Sequence, residues 1–106
     1  MAFENSTALQ SFLKTATNIG AVFVEQWEGT VQPPYIVVGQ LSTDTIPADN
    51  TMYVSEKRFW IDVFVKKTDN TTPATVETAL KEADIYFQNE TFYNESLRLV
   101  CHEYEI

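Results

Sequence analysis

The stretch IPADNTMYVSEKRFWIDVFVKK, Ile46 to Lys67, decides the fold expected for this chain. A turn-forming Pro-Ala-Asp-Asn segment leads into about fifteen residues of almost unbroken strand character. Because successive strand residues point to opposite faces of a sheet, this segment divides into two rows. The row predicted to face the helices is wholly apolar: Phe59, Ile61, Val63 and Val65. The opposite row sets two large aromatic residues among charges: Glu56, Arg58, Trp60, Asp62, Phe64 and Lys66.

The two aromatic residues of the charged row, Trp60 and Phe64, are neighbours on one face of the predicted strand. In a two-layer domain that face would meet water. Grouped exposed aromatics are typical of an interface with another protein. The alternative is that a loop or tail of the same chain covers them, and the sequence favours neither.

The length of the predicted strand also suggests an assembly. Fifteen residues at about 3.3 Å each span about 50 Å, whereas a compact domain of this size is only about 35 Å across. The strand must therefore bend, break at a bulge or extend beyond the body. If it extends, its N-terminal half and the loop STDTIPADNT (residues 42–51) form an arm, with Tyr35–Leu41 as the antiparallel partner. An isolated two-stranded arm usually gains stability from a neighbouring subunit.

The segments around this stretch alternate between helix and strand patterns. Asn5 or Ser6 can cap a first helix, and Gly20 stands where a C-terminal glycine belongs. The apolar face of that helix comprises Leu9, Phe12, Leu13 and Ala16. A second helix is predicted to begin at Thr72-Pro73, with a hydroxyl cap and proline in the first helical position. The predicted strands are 21–27, 35–41, the long strand to Lys67, and a closing strand Leu97–Ile106.

This order predicts a single α+β domain over residues 1–106. It is a two-layer sandwich with two helices on one face of a mostly antiparallel sheet of about four strands, in the order α-β-β-β-α-β, with a protruding β-hairpin arm. Antiparallel pairing is expected among the first three strands, because no crossover helix separates them.

The charge balance excludes some classes of function. Fifteen acidic against seven basic residues give a formal charge of -8, which argues against binding nucleic acid or an anionic membrane through a basic surface. No segment approaches the ~20 apolar residues of a membrane span, and the N-terminal sequence does not resemble a secretory signal. The lone Cys101 cannot form an internal disulfide, so a reducing, intracellular setting is expected.

The sequence contains no constellation of residues that indicates catalysis. His102 is the only histidine, and on a strand its side chain points away from that of the adjacent Cys101. The chain lacks the ligands of a His/Cys metal site, and the spacing of Asp44 and Asp49 does not resemble a calcium loop. Three glycines provide no phosphate-binding loop. We therefore predict a protein that is not an enzyme and has no metal or cofactor.

Four segments occur in an order that resembles one family, the tail completion or tail terminator (head–tail joining) proteins of long-tailed bacteriophages. In that family a Pro-Tyr strand start, an Ala-Asp-Asn turn and an aromatic-rich strand precede a helix that begins after an acidic turn. The resemblance covers roughly Gly20 to Ile106. The segments that carry it are PPYIVV (Pro33–Val38), ADNTMY (Ala48–Tyr53), RFWIDVFVKKTD (Arg58–Asp69) and LVCHEYEI (Leu99–Ile106).

The resemblance implies a virion structural protein made in the host bacterial cytoplasm and located at the head–tail interface. It implies a ring, usually of six copies, that caps the head-proximal end of the tail tube and stops its polymerisation. The implied partners are further copies of the chain, the tail-tube protein and the head-completion or connector protein, with DNA passing through the ring without specific binding and with no membrane involved. The candidate subunit or partner interface comprises Asp49, Asn50, Met52, Tyr53, Trp60 and Phe64.

Two other functions fit the same sequence. A monomeric α+β protein-binding module would use the exposed strand to contact a partner and would form no ring. The second alternative is another structural protein of the virion, either a head–tail connector component or a tail-tube subunit. Of these, the tube subunit would polymerise into filaments, whereas a terminator would stop at a closed ring.

Overall fold

Two helices and seven strands make up the described part of the chain. The computed structural model describes residues 3–25, 32–41, 44–48, 52–56, 58–96 and 98–106, and over 44–48 and 52–56 it describes the backbone alone. The helices are α1 (Ser6–Thr17) and α2 (Thr71–Glu82). The strands are β1 (Val22–Val24), β2 (Tyr35–Gln40), β3 (Asp44–Ala48), β4 (Met52–Glu56), β5 (Phe59–Lys66), β6 (Gln88–Asn94) and β7 (Leu99–Glu105).

Five of these strands form a mixed sheet in the order β1-β2-β5-β7-β6. The α+β class and the two helices are confirmed, whereas the predicted sheet of about four strands and the order α-β-β-β-α-β match only in part, because the main sheet has five strands and a separate hairpin lies between β2 and β5 in the sequence. All neighbours pair antiparallel except β1 and β2, which are parallel. The prediction of antiparallel pairing among the first strands therefore fails for this pair. A parallel neighbour must start beside the first residue of β1, so the chain has to run back along the length of that strand. β1 has only three residues, and this distance is only about 10 Å.

The predicted long strand is divided into two strands that belong to different sheets. β5 lies in the five-stranded sheet, while β4 pairs with β3 in a separate antiparallel hairpin. The predicted arm partner, Tyr35–Leu41, is wrong, because its strand β2 pairs with β5 and residues 44–48 of the predicted loop supply the partner of β4. We call the β3–β4 hairpin the arm. The molecule measures 52 × 29 × 21 Å, with a radius of gyration of 15.0 Å, against about 13 Å for a compact domain of this length.

Strand β6 lies in a segment to which the sequence assigned no element. All seven of its residues are exposed, on both faces of the strand. A strand is recognised in sequence by the alternation of buried and exposed residues, and β6 has none. The closing strand β7 begins two residues later than predicted, at Leu99.

The core lies between the helices and one face of the sheet. The predicted alternation in β5 is confirmed: its helix-facing residues Phe59, Ile61, Val63 and Val65 are between 0 and 2% exposed. They form one cluster with Leu9 and Leu13 of α1, Val76 and Leu80 of α2, and Tyr104 of β7. Burial of this apolar area is the main contribution that holds the two layers together.

An asparagine lies at each end of the first helix. The Oδ1 atom of Asn5 accepts a hydrogen bond from the backbone N–H of Ala8 at 2.9 Å, which makes Asn5 the N-cap. At the other end Asn18 adopts the left-handed conformation with φ of 59°. The prediction that Gly20 ends the helix is therefore wrong by two residues. Asparagine is the common substitute for glycine in this conformation.

Asp69 caps the second helix. Its Oδ1 accepts the backbone N–H groups of Thr71 and Thr72 at 2.9 and 3.1 Å, and its Oδ2 accepts the Thr72 hydroxyl at 2.7 Å. The hydroxyl cap predicted at Thr72 is thus wrong: α2 begins at Thr71 and its orphan N–H groups bind a carboxylate. The hydrogen bond from the Thr72 side chain is the largest of the effects that lower the pKa of Asp69.

Replacing Asp69 by alanine is expected to lower the free energy of unfolding by about 1 kcal/mol at pH 7, because two helix N–H groups lose their acceptor. Since the pKa of Asp69 is lower in the folded state, its contribution is present above the unfolded pKa and is lost as the pH falls through the folded one. The difference from the native protein should therefore shrink in acid. Urea unfolding at several pH values measures it. Asn70→Ala is the matched control, because the Asn70 side chain makes no capping hydrogen bond; equal losses for the two variants would contradict the assignment.

Candidate interaction surface on the outer sheet face

The sheet face opposite the helices, here called the outer face, carries the mixed aromatic and acidic row predicted for β5. The strand register aligns Trp60, Asp62 and Phe64 of this row with residues of the neighbouring strands, so that three lines of side chains run across the sheet. The first line joins Gly39, Trp60, Glu105 and Gln88, the second joins Phe23, Val37, Asp62, Glu103 and Glu90, and the third joins Tyr35, Phe64, Cys101 and Phe92.

Neighbouring side chains of the same chain half-bury the two aromatic residues of β5. Phe64 stacks on Tyr35 with ring centroids 4.8 Å apart. Trp60 lies over Gly39, so closely that a Cβ atom at Gly39 would lie 2.2 Å from the indole ring. Tyr35, Val37 and Leu99 are almost fully buried and form a second apolar cluster with them. Trp60 and Phe64 therefore build a small core on the outer face and keep part of their surface open.

The middle of the outer face is acidic. Asp62 of β5 lies opposite Glu103 of β7, which lies opposite Glu90 of β6. Burial, the charge of Glu103 and a hydrogen bond between the two carboxyls raise the pKa of Asp62 to about 7. The buried Oδ1 of Asp62 has no hydrogen-bond partner among the described groups. Asp62 therefore holds a proton far more readily than an ordinary carboxyl.

One ion pair lies at the edge of this acidic region. Arg58 Nη2 is 3.2 Å from Glu105 Oε1, and both side chains are 37% exposed. A pair this exposed contributes little to stability. It neutralises Glu105 and leaves the line of Asp62, Glu103 and Glu90 as the acidic part of the outer face.

The sheet ends at β6, whose exposed side chains continue the outer face. β6 pairs with β7 along its full length, from Gln88↔Glu105 to Asn94↔Leu99. Its other edge has no strand partner among the residues described. Phe92 and Tyr93 are 49% and 52% exposed, and Tyr86, just before the strand, is 86% exposed. An unpaired edge beside large exposed aromatics is a surface to which another strand can be added.

The two candidate reactive residues, Cys101 and His102, lie on opposite faces of β7. Cys101 lies on the outer face, and burial together with Asp62 and Glu103 raises the pKa of its thiol to about 12, so the nucleophilic thiolate is scarce at neutral pH. His102 lies on the other face, where its Nδ1 is 3.3 Å from the Thr91 hydroxyl. A groove of about 280 Å³ between the helices is lined mainly by alanine and threonine, with Glu82 as an ionisable lining residue. Within the described ranges no group of three or more His, Cys, Asp or Glu residues could hold a metal ion.

The six predicted interface residues lie in different parts of the chain and do not form one described surface. Asp49 and Asn50 lie outside the described residues. Met52 and Tyr53 lie in β4 of the arm, opposite Ala48 and Pro47. Trp60 and Phe64 lie together on the outer face, as their spacing indicates. The sequence analysis missed strand β6 and the contact of Asp62 with Glu103. The acidic residues Asp62, Glu90 and Glu103 can be read from the sequence, but the strand register that brings them together cannot.

Comparisons with known proteins give no family. No protein-family model matches the sequence, and no significant match is found among curated proteins. In the part of the chain that the structure describes, neither helix is long and apolar enough to cross a bilayer.

Proposed function

We propose that this protein is a virion structural protein that caps the head-proximal end of a phage tail tube as a ring. The ring, of six copies, ends tube polymerisation and joins the tail to the head connector. The observation that carries the proposal is the arm, a two-stranded hairpin whose strands pair only with each other among the described residues. Two strands alone are marginal in water and gain stability by docking on another surface.

The sequence supports the same assignment. The resemblance to tail terminators rests on segments that include the arm turn, the β5 strand and the closing strand. Six copies at -8 each would carry -48 formal charges, and an acidic channel lets DNA slide through because it offers few phosphate contacts. Further copies of the chain, the tail-tube protein and the head connector are the proposed partners, and no catalytic activity or cofactor is proposed.

Excising the arm tests this function. The Leu41 N–H donates to the Arg58 carbonyl at 2.8 Å, so the chain leaves and re-enters the body at adjacent points. Residues 42–57 can therefore be replaced by a short Gly-Ser link. We expect this variant to fold, because the described core side chains come from the helices, the five-stranded sheet and the segments that join them, and to fail to form rings or to complement a phage lacking the gene.

Electron microscopy of the gene-deleted phage gives the reference result. We expect DNA-filled heads beside unattached tails, some of them abnormally long, and the same picture with the arm-less variant. Glu82→Lys, an exposed change on α2 that leaves the arm intact, is the control and should restore joined particles. Normal, infectious particles without the gene would contradict the proposal. Filaments of the purified protein would favour a tail-tube subunit instead.

The exposed β6 edge favours a second candidate function, the monomeric protein-binding module. A module of this kind adds a partner strand at a sheet edge and needs no second copy. Sedimentation of the purified chain separates the two, since the module stays monomeric at every concentration.

A further inference from the structure

We propose that β6 and the adjacent acidic part of the outer face bind an extended segment of a partner protein, in which basic residues alternate with apolar ones, as a sixth strand of the sheet. This inference does not depend on ring formation. The proposed binding surface is the β6 edge of the sheet, opposite the β1 edge, and its ligand is a strand of defined charge pattern.

Among the described residues, no strand pairs with the edge of β6 that lies away from β7. The strand is seven residues long, and its register with β7 is continuous, with no bulge. Natural edge strands are usually protected by a lysine, a proline or a bulge that prevents another strand from pairing. The sequence of β6, QNETFYN, contains no lysine and no proline. Glu90 is the single charged residue of this edge, so a strand that places a basic residue beside it can pair along its length.

The side chains of β6 offer anchors on both faces. Phe92 lies on the outer face and Tyr93 on the opposite one, each about half exposed. The Lys67 ammonium lies 5.7 Å from the centre of the Tyr93 ring, on the face away from Asp62. Aromatic side chains that are partly open in the free protein are the residues that most often anchor an interface.

Charge decides which kind of strand can bind. On the outer face a sixth strand would lie beside Glu90, which continues into Glu103 and Asp62. Besides Arg58, which pairs with Glu105, β5 contributes Lys66 to this face at its other end. Opposite charges across neighbouring strands are stabilising and like charges are destabilising. The occupant should therefore place lysine or arginine on this face.

The same charges argue against a second copy of this chain. Pairing β6 with β6 would bring two acidic lines together, between chains that each carry -8. Nucleic acid is disfavoured for the same reason. On the helix side a sixth strand would lie next to Thr91 and to Tyr93, whose ring already contacts the Lys67 ammonium; apolar residues, rather than further cations, fit there. An alternation of basic and apolar residues is the pattern that satisfies both faces of one strand.

A synthetic peptide of strand length in which lysine alternates with valine provides the probe. Fluorescence anisotropy should detect its binding to the full chain, and amide chemical shifts should change along β6 and β7. The glutamate counterpart should not bind. The lysine peptide with methylated backbone nitrogens should bind much more weakly, because it cannot donate to the edge. Binding that survives methylation would overturn strand addition.

Two charge-reversal variants separate this site from attraction to the whole acidic protein. Glu90→Lys should weaken lysine-peptide binding by about fivefold or more, whereas Glu82→Lys, with the same change of net charge on α2, should leave it nearly unchanged. Equal effects of the two variants, or no shifts in β6, would overturn the proposal. So would self-association of the native chain that Glu90→Lys abolishes, because the occupant would then be a second copy.

The arm-less variant distinguishes this inference from the proposed function. It should lose ring formation and still bind the lysine peptide as the native chain does. Loss of peptide binding by this variant would show that the binding site includes the arm, contrary to the placement on β6.

Discussion

Replacing Gly39 by valine is expected to destabilise the protein by about 3 kcal/mol, the upper part of the range for overpacking a filled site. Gly39 lies in β2, and a Cβ atom there would lie 2.2, 2.3 and 2.7 Å from three atoms of the Trp60 indole. Those distances are far below van der Waals contact, so the ring has to leave the β2 surface. Its displacement would also open the packing around Tyr35 and Val37.

Gly20→Val is the matched control, because nothing lies within 4 Å of a Cβ atom at that position. Urea unfolding followed by far-UV circular dichroism should show a much smaller loss for it. Trp60→Val in the Gly39→Val background removes the ring that clashes. The double variant should therefore lose less stability than the sum of the single ones. Additive losses would mean that Trp60 and Gly39 do not share this contact.

Replacing Asp62 by asparagine is expected to raise the free energy of unfolding at pH 8 by about 1–2 kcal/mol, after allowance for screening of a half-buried group. The pKa of Asp62 rises from 3.8 to about 7 in the folded protein. The folded state then binds the proton more tightly than the unfolded one. This stabilisation is fully present below the unfolded pKa and is lost as the pH rises through about 7.

The variant should therefore differ from the native protein at pH 8 and approach it near pH 4, because asparagine stays neutral and can still donate to Glu103. Thermal unfolding at pH values between these limits measures the difference. Asp84→Asn makes the same exchange at an exposed site and is the matched control. If Asp62→Asn and Asp84→Asn showed the same dependence on pH, the burial of Asp62 beside Glu103 would not control its protonation.

Residue patterns within single elements could be read directly from the sequence. The apolar row of β5 is buried as predicted, and the apolar stripe of α1 supplies Leu9 and Leu13 to the same core. The placement of Trp60 and Phe64 on one face also follows from their separation by four residues, an even number along a strand. Each of these features repeats within a few residues, so composition and period suffice to find it.

Features that depend on pairing between distant segments could not be read in this way. The division of the long strand into β4 and β5 depends on β4 pairing with β3, a segment read as a loop that contains Pro47. Proline is admissible there because a hairpin strand has a free edge. β6 gave no signal because both of its faces are exposed, and it is a strand only because β7 pairs with it.

The sequence by itself determined the α+β class, the face of β5 that meets the helices and the strongly acidic surface, because periodicity and charge are local properties of the chain. The tertiary structure alone decided the parallel pairing of β1 with β2, the seating of Trp60 on Gly39 and the line of carboxyls from Asp62 to Glu90. These contacts join residues far apart in the chain. Their free energies are set by which strands become neighbours, and no local pattern specifies that choice.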